Sequence, residues 1–237
     1  MNAESSTQSE GIFSFAGARR LTSEAFGTFA LVFAGTGAIV INDVSGGSVT
    51  HVGIAITFGL IVLAMIYSLG DVSGAHLNPA VTIGFLCARR FDAGWVVPYI
   101  TSQCTGAILA SLTLRMLFPS HETLGATLPA GSETQSFILE FLLTFILMFV
   151  ILRVSSSTNK HTEIAGVVVG SVVALEAIFA GPICGASMNP ARSLGPALIS
   201  MQLSSLWIYL TATFLGAIAS VYLNIFLQPE VANSSEG

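Results

Sequence analysis

Charged residues are scarce in this sequence: 9% of its 237 residues are Asp, Glu, Lys or Arg, and 53% are hydrophobic. A soluble domain carries about a quarter charged residues. So few charges cannot cover a surface that faces water, and we therefore expect most of the chain to lie in lipid. The eight Lys and Arg occur in ones and twos and the formal net charge is -5, which argues against nucleic-acid binding.

Cysteine is also rare, and the three cysteines, Cys87, Cys104 and Cys184, show no CxxC spacing. An odd number without paired spacing indicates neither a disulfide framework nor a zinc site. The four histidines form no cluster that favours a metal site. Because no nucleophile, base and metal ligands occur together, the sequence predicts neither an enzyme nor a bound metal or other cofactor.

Both ends of the chain are polar. Residues 1–10 include acidic side chains and lack the basic-then-apolar layout of a signal peptide. We expect disordered tails over 1–18 and 229–237 on either side of a folded domain at 19–228.

Long apolar stretches account for most of that domain. A membrane helix needs about 20 apolar residues. Six stretches reach this length, at about 20–42, 50–70, 94–117, 134–154, 164–182 and 204–227. Two shorter segments, about 78–88 and 189–199, cannot span a bilayer but suit re-entrant half-helices. The expected fold is all-α, with six transmembrane helices and two half-helices.

The basic residues predict the orientation of these spans. Arg19 and Arg20 precede the first span, Arg89 and Arg90 follow the first short segment, and Arg153 and Lys160 follow the fourth span. With six spans these positions all lie on one side of the membrane. By the positive-inside rule that side is the cytoplasm, and both termini are expected there.

The two halves of the domain, about 19–118 and 134–228, resemble each other. The segment "EAFGTFALVF" from Glu24 is similar to "EFLLTFILMF" from Glu140, and each opens the first span of its half. Each half supplies three spans, with a short segment after the second. Because three is an odd number, the second half must be inverted relative to the first, so that one short segment enters from each face.

The short segments carry the same motif. "SGAHLNPAVT" contains Asn78, Pro79 and Ala80, and "CGASMNPARS" contains Asn189, Pro190 and Ala191. Proline suits the first turn of a helix, and asparagine is favoured as the N-cap. Two half-helices from opposite faces would meet near the midplane with their positive ends together. The asparagine amides can then donate hydrogen bonds to a neutral solute, whereas a cation would face two positive dipole ends.

The paired motifs and the inverted repeat of six spans resemble the major intrinsic protein (aquaporin) family over about 20–227. In channels of that family the pore width, the lining groups, an arginine and the half-helix dipoles set selectivity. The resemblance implies a passive channel that excludes protons and ions. It also implies a homotetramer in the plasma (cytoplasmic) membrane, with one pore in each protomer and lipid around it.

The resemblance further implies a narrow constriction formed by Phe58, Ala177, Ala186 and Arg192. Arg192 stands out from the residues alone, because a fixed charge on a membrane-buried half-helix is costly and therefore functional by default. Phe58, Ala177 and Ala186 would otherwise be ordinary residues of helix packing or of the lipid-facing surface.

The implied substrates depend on the width of this constriction. A strict water filter of the family has a histidine where this chain has Ala177, and a typical glycerol facilitator has two aromatic residues where this chain has one. The pattern is closest to nodulin-like intrinsic proteins and their bacterial relatives. It implies water, glycerol and small uncharged metalloid hydroxides as solutes. Ser193 and Ala197 instead fit the water-channel pattern, so a water-selective aquaporin is the alternative.

Four further polar residues lie at membrane depth. The family resemblance implies that Glu24 and Glu140 accept hydrogen bonds from the loops beside the half-helices, although buried acids also serve as proton relays. Glu176 precedes Ala177, and it either supports the Arg192 loop or acts at the outer mouth. His76 either lines the pore or gates it with pH.

A secondary transporter is the competing class, since inverted repeats and broken helices occur there too. A transporter needs a coupling-ion site near the midplane. The two neutral asparagines at that depth favour the channel.

Overall fold

The computed structural model describes residues 11–156 and 162–227, and the regular elements in these two ranges are all helical. The tails predicted at residues 1–10 and 229–237 lie outside the described ranges. The α-helices are α1 Phe15–Val44, α2 Thr50–Ser73, α3 Pro79–Cys87, α4 Ala93–Leu117, α5 Glu133–Val154, α6 Ala165–Cys184, α7 Pro190–Ser200 and α8 Leu206–Phe226, and a 3-10 turn at Thr162–Ile164 precedes α6.

Within residues 11–156 and 162–227, the helix lengths confirm six long helices and two short ones. Among the described residues, α1, α2, α5, α6 and α8 are both long and apolar enough to cross a membrane. Helix α4 has 25 residues, about 37 Å at 1.5 Å per residue, so it is also long enough, although its composition is more polar. Helices α3 and α7 have 9 and 11 residues and cannot span.

The two halves pack in the same way. In the first half α4 lies against α1, and in the second half α8 lies against α5. Gly106 and Gly216 occupy corresponding positions, because a Cβ on Gly106 would overlap the backbone of Ala25 and one on Gly216 would overlap the backbone of Phe141. Each half-helix also packs against the other half, α3 on α8 and α7 on α4. The two halves of the inverted repeat are therefore packed into each other through their half-helices.

Basic residues gather at one end of this bundle. The Arg20 guanidinium lies 5.4 Å from the centre of the Trp95 ring, where α4 begins. Arg90 follows α3, and its Nη1 donates to the carbonyl of Leu152 at 2.8 Å, near the end of α5. The start of α1, the end of α3 and the end of α5 therefore lie on the same side, as the spacing of the basic residues predicted.

The expected tail over 1–18 is corrected at its inner end. The Ser14 hydroxyl accepts a hydrogen bond of 3.0 Å from the Gly17 backbone and caps α1. A cap at this position lets the helix begin at Phe15, so residues 15–18 extend the first span towards Arg19 and Arg20.

Candidate functional site

The loops that lead to α3 and α7 share one backbone course. Gly74 and Gly185 end α2 and α6, each at φ +84°. Two more left-handed residues follow in each loop, Ala75 and Leu77 in the first and Ala186 and Met188 in the second, all with φ between 41° and 54°. Left-handed backbone is unfavourable for these side chains. It persists here because the surrounding hydrogen bonds determine the path of the loop.

The two asparagines cap their half-helices and cross-link the loops. Asn78 Oδ1 accepts from the Ala80 backbone at 2.9 Å, and Asn189 Oδ1 accepts from Ala191 at 3.0 Å. Asn78 Nδ2 donates to the Met188 carbonyl at 2.8 Å, and Asn189 Nδ2 donates to the Leu77 carbonyl at 2.9 Å. An amide nitrogen carries two hydrogens. One hydrogen of each asparagine is thus left for a solute beside the cross-link.

Glu24 and Glu140 hold these loops from behind. The Glu24 carboxylate accepts from the backbone of His76 at 2.9 Å and of Leu77 at 2.7 Å. The Glu140 carboxylate accepts from the backbone of Ser187 at 2.8 Å and of Met188 at 2.9 Å. This is the geometry that a supporting role requires, since each acid satisfies two buried amides of the loop before its half-helix.

The second support of each loop was not predicted from the sequence. Tyr99 donates from its hydroxyl to the Ser73 carbonyl at 2.8 Å, and Tyr209 donates to the Cys184 carbonyl at 2.8 Å. Gln103 on α4 donates to Glu24 at 2.8 Å and to the Thr82 hydroxyl at 3.0 Å. The sequence does contain an indication for Tyr99, Tyr209 and Gln103. Placing a polar side chain within a membrane span costs free energy, so such residues usually have a role.

Arg192 lies at the first turn of α7 with 2% of its surface exposed. Its Nη1 donates to the Gly125 carbonyl at 2.9 Å, and its guanidinium carbon lies 5.1 Å from the centre of the Phe58 ring. The Glu140 carboxylate adds a favourable electrostatic interaction with the buried charge. Gly35 makes room for the ring, since a Cβ there would overlap Phe58.

The loop between α4 and α5 brings Gly125 to Arg192. His121 Nδ1 accepts from the Leu124 backbone at 3.0 Å, and its Nε2 lies 3.3 Å from Asp43 Oδ2 at the end of α1. Gly125 itself has φ +73°, and a Cβ there would lie 2.9 Å from the Thr36 side chain. Its place is therefore fixed by α1, and the sequence contains no pattern that reveals its contact with Arg192.

A cavity of about 540 Å³ lies beside the two asparagines and Arg192. Its lining includes Phe58, Ala177, Ala186 and Arg192, together with His76 and both asparagines. At the end where α2 finishes it is bordered by Asp71 and Glu163. The structure therefore brings all four predicted constriction residues to one cavity. Pro79, Ala80, Pro190 and Ala191 are buried in the half-helices behind it.

His76 is packed within an aromatic cluster at the side of the cavity. Its ring stacks on Phe85 with centroids 4.7 Å apart and also contacts Phe91 and Tyr99. Its Nδ1 lies 3.1 Å from the Thr82 hydroxyl. The ring thus borders the cavity with one nitrogen engaged by α3.

Glu176 was predicted either to support the Arg192 loop or to act at the outer mouth. Within the described residues, neither carboxylate oxygen of this buried side chain has a hydrogen-bond partner. Val173 and Ala177 turn towards the cavity at a helical spacing, whereas Glu176 does not line it. Its electrostatic neighbour is Glu140 on α5, whose carboxylate binds the loop before α7, and the two alternative roles of Glu176 stay predictions.

Comparison with known proteins identifies the class that this fold and cavity define. The family model for the major intrinsic protein matches residues 12–224. The chain belongs to that family, and it is a membrane channel rather than an enzyme.

Its relatives include plant proteins of the nodulin type. Aquaporin NIP1-1 of Oryza sativa subsp. japonica is 47% identical over 205 residues, 86% of this chain and 72% of the relative. Nodulin-26 of Glycine max is 43% identical over 222 residues, 93% of this chain and 82% of the relative. The solved structure of the aquaglyceroporin from Plasmodium falciparum superimposes with a TM-score of 0.80 at 28% identity and covers 87% of this chain and 94% of its own.

Proposed function

We propose that the cavity is a passive pore for water and small uncharged solutes, with glycerol and metalloid hydroxides among them. The observation that carries the proposal is the composition of the outer constriction. Phe58 and Arg192 form one side, and the other two residues, Ala177 and Ala186, present only methyl groups. A constriction with two methyl-sized walls leaves space for a solute larger than water.

The centre of the pore supports the transport of neutral hydrogen-bonding molecules. Asn78 and Asn189 each retain one amide hydrogen after capping and cross-linking. A water or hydroxyl oxygen can accept from both in turn. Arg192 adds donors at the constriction, where a solute oxygen would replace part of its hydration shell.

Exclusion of protons and other cations follows from the same groups. The positive ends of α3 and α7 meet at the asparagines, and the charge of Arg192 lies at the constriction. An arginine and half-helix dipoles act as such barriers in aquaporin-type pores generally.

Family membership and charge distribution support the remaining assignments. We infer a homotetramer with one pore per protomer, embedded in lipid of the plasma membrane. The end of the bundle that carries Arg20 and Arg90 faces the cytoplasm, so both termini lie there.

The test compares osmotic water flux with glycerol uptake by stopped-flow light scattering on proteoliposomes. Ala177→His and Ala177→Leu both narrow the constriction, but only histidine offers a hydrogen-bonding group. We expect the wild type to take up glycerol, both variants to lose that uptake, and Ala177→His alone to keep most of the water flux. A wild type that passes water and excludes glycerol would instead support the water-selective alternative indicated by Ser193 and Ala197.

The transporter alternative predicts a coupling ion bound at the midplane. Among the described residues, the acidic groups on the cavity wall are Asp71 and Glu163, which lie at one mouth rather than at the asparagines. We therefore expect uptake that is linear in the solute gradient and independent of sodium or proton gradients.

A further inference from the structure

A histidine at the outer end of α2 is bonded to the backbone of α6. His51 lies in the first turn of α2, and its Nε2 is 2.8 Å from the carbonyl oxygen of Ile178. A carbonyl oxygen only accepts, so Nε2 carries a hydrogen and donates it. The bond joins positions 127 residues apart in the sequence.

The accepting carbonyl is free because of a proline. In an α-helix the N–H of each residue donates to the carbonyl four residues earlier. Pro182 lies inside α6 and has no N–H, so Ile178 loses its partner within the helix. Gly181 keeps the approach open, since a Cβ there would lie 2.8 Å from His51 Cε1. Pro182 thus leaves the Ile178 carbonyl without a partner in α6, and Gly181 leaves the space in which the His51 ring reaches it.

A second close contact between the same helices lies two turns further in. A Cβ on Gly59 would be 2.5 Å from the Gly170 carbonyl oxygen, and a Cβ on Gly170 would be 2.5 Å from the Gly59 carbonyl oxygen. Eight residues separate the two contacts along each helix, which corresponds to about 12 Å. The helices α2 and α6 are therefore held together at two defined points.

The helix-borne residues of the constriction lie between these two points. Phe58 precedes Gly59 on α2, and Ala177 precedes Ile178 on α6. The glycine contact fixes the helix separation at the end near Phe58. The His51 bond fixes it at the end near Ala177.

We propose that His51 is a positioning residue for the pore: through the carbonyl freed by Pro182 it sets the separation of α2 and α6, and with it the largest solute admitted. The inference rests on the proposed constriction. Without the bond, α6 gains freedom at Ala177, so the width of the opening is no longer held at a single value.

The variants separate this role from a general loss of stability. His51→Ala removes the donor, and His51→Asn keeps a polar side chain that is too short to reach Ile178. His51→Gln restores a long side chain with a terminal N–H donor. Pro182→Ala returns an N–H to α6 and satisfies Ile178 within its own helix, so the carbonyl is no longer free for His51 and the bond between the two helices should weaken. Val52→Ala is the control, because that side chain is half exposed in the same turn.

The readout is the uptake of glycerol, erythritol and ribitol relative to water flux in proteoliposomes of each full-length variant. We expect His51→Ala and His51→Asn to raise the erythritol-to-glycerol ratio by about threefold to tenfold, the effect of one hydrogen bond. His51→Gln and Val52→Ala should stay near the wild-type ratio, whereas the double variant His51→Ala with Pro182→Ala should match His51→Ala, because it restores a bond within α6 but none between α2 and α6. A merely structural role would lower all fluxes together and leave the ratio unchanged.

The controls distinguish failure of this inference from failure of the proposed pore. If Ala177→His stops glycerol while both His51→Ala and His51→Asn keep the wild-type ratio, the positioning role of His51 is wrong. If Ala177→His leaves glycerol uptake intact, the constriction is misassigned, and the role of His51 is overturned with it. If His51→Ala does not fold, His51→Asn decides the matter by the same ratio.

Discussion

The side-chain nitrogen of Asn78 donates a hydrogen bond of 2.8 Å to the carbonyl oxygen of Met188, which ties the first half of the channel to the second at its centre. The reciprocal bond from Asn189 reaches Leu77. The two acceptors are left-handed residues, so the unusual loop course and the cross-link depend on each other. Each asparagine amide therefore has one structural hydrogen and one available for solute.

Asn78→Asp is expected to separate the capping role of the Asn78 oxygen from the two uses of its amide hydrogens. An aspartate still accepts from the Ala80 backbone and caps α3. It has no N–H for Met188 or for a solute, and its charge offsets the positive helix ends. We expect water and glycerol fluxes to fall about fivefold, the effect of losing one hydrogen bond, and a cation leak to appear in proteoliposomes with a pH-sensitive dye.

The matched control for this change is Asn42→Asp. Asn42 Oδ1 accepts from the Thr50 backbone at 2.8 Å, and the residue lies away from the cavity. The same substitution there keeps the acceptor and should leave fluxes near wild type. Wild-type fluxes without a cation leak in Asn78→Asp would show that the amide hydrogens are not used by the solute.

Gly35→Ala tests whether the Phe58 ring depends on the space that α1 leaves for it. The added methyl would overlap the ring, which must then move against Arg192. Overpacking of this kind costs about 1–3 kcal/mol. We expect a lower unfolding temperature in detergent and a larger loss of glycerol flux than of water flux.

Gly37→Ala provides the comparison on the same helix. Its Cβ would meet Leu114 at 3.4 Å, an ordinary contact, so stability and selectivity should change little. Adding Phe58→Leu to Gly35→Ala should recover the unfolding temperature, because the smaller side chain relieves the overlap. Equal behaviour of Gly35→Ala and Gly37→Ala would contradict the packing argument.

Gly125→Ala tests the carbonyl that holds Arg192. The residue has φ +73°, and the new Cβ would lie 2.9 Å from Thr36, so the loop must shift. The backbone strain alone costs on the order of 1–3 kcal/mol. We expect lower stability and a changed ratio of glycerol to water flux, because Arg192 Nη1 loses its fixed acceptor.

Gly46→Ala introduces a similar backbone strain without a contact like the one between Gly125 and Thr36. Gly46 also has a positive φ, +66°, but a Cβ there would meet nothing within 4 Å. It should therefore share part of the stability loss and keep the wild-type flux ratio. A changed ratio in Gly46→Ala as well would mean that loop strain, not the Arg192 contact, alters selectivity.

The features predicted from the sequence were those with local causes. Asn78 and Asn189 each precede a proline at the start of a short helix, so capping and helix position follow from neighbouring residues. The six spans follow from length and composition, and the inversion follows from an odd number of spans per half. The tail prediction failed at residues 15–18 because the cap at Ser14 was not recognised.

Contacts between segments that are far apart in the chain could not be predicted from the sequence. Arg192 and Gly125 are 67 residues apart, and nothing near either one indicates their bond. The role of Glu176 stays a prediction, because its nearness to Ala177 in the chain does not establish a contact with Arg192: neighbouring positions on a helix face different directions. Gln103 could be predicted in part. A lone amide in a membrane span indicates a buried hydrogen-bond partner, but it does not indicate which residue that partner is.

Gln103→Leu tests how much the hydrogen bonds from Gln103 to Glu24 and Thr82 contribute to stability and to water flux. The Gln103 side chain is fully buried and donates to Glu24 Oε2 at 2.8 Å and to Thr82 at 3.0 Å. Leucine fits an apolar site but removes both donors. The Glu24 carboxylate keeps its bonds from Ser73, His76 and Leu77 and loses one of four. Leaving buried acceptors short of a donor costs about 1–3 kcal/mol.

The measurement is the unfolding temperature in detergent, with water flux recorded in parallel. Thr105→Val is the control, since it removes a hydroxyl from the exposed face of the same helix that bonds only within α4. We expect Gln103→Leu to be less stable than this control and to lose water flux, because the loop before Asn78 is held by the same carboxylate. Stability and flux equal to Thr105→Val would show that the remaining three donors suffice to hold the loop.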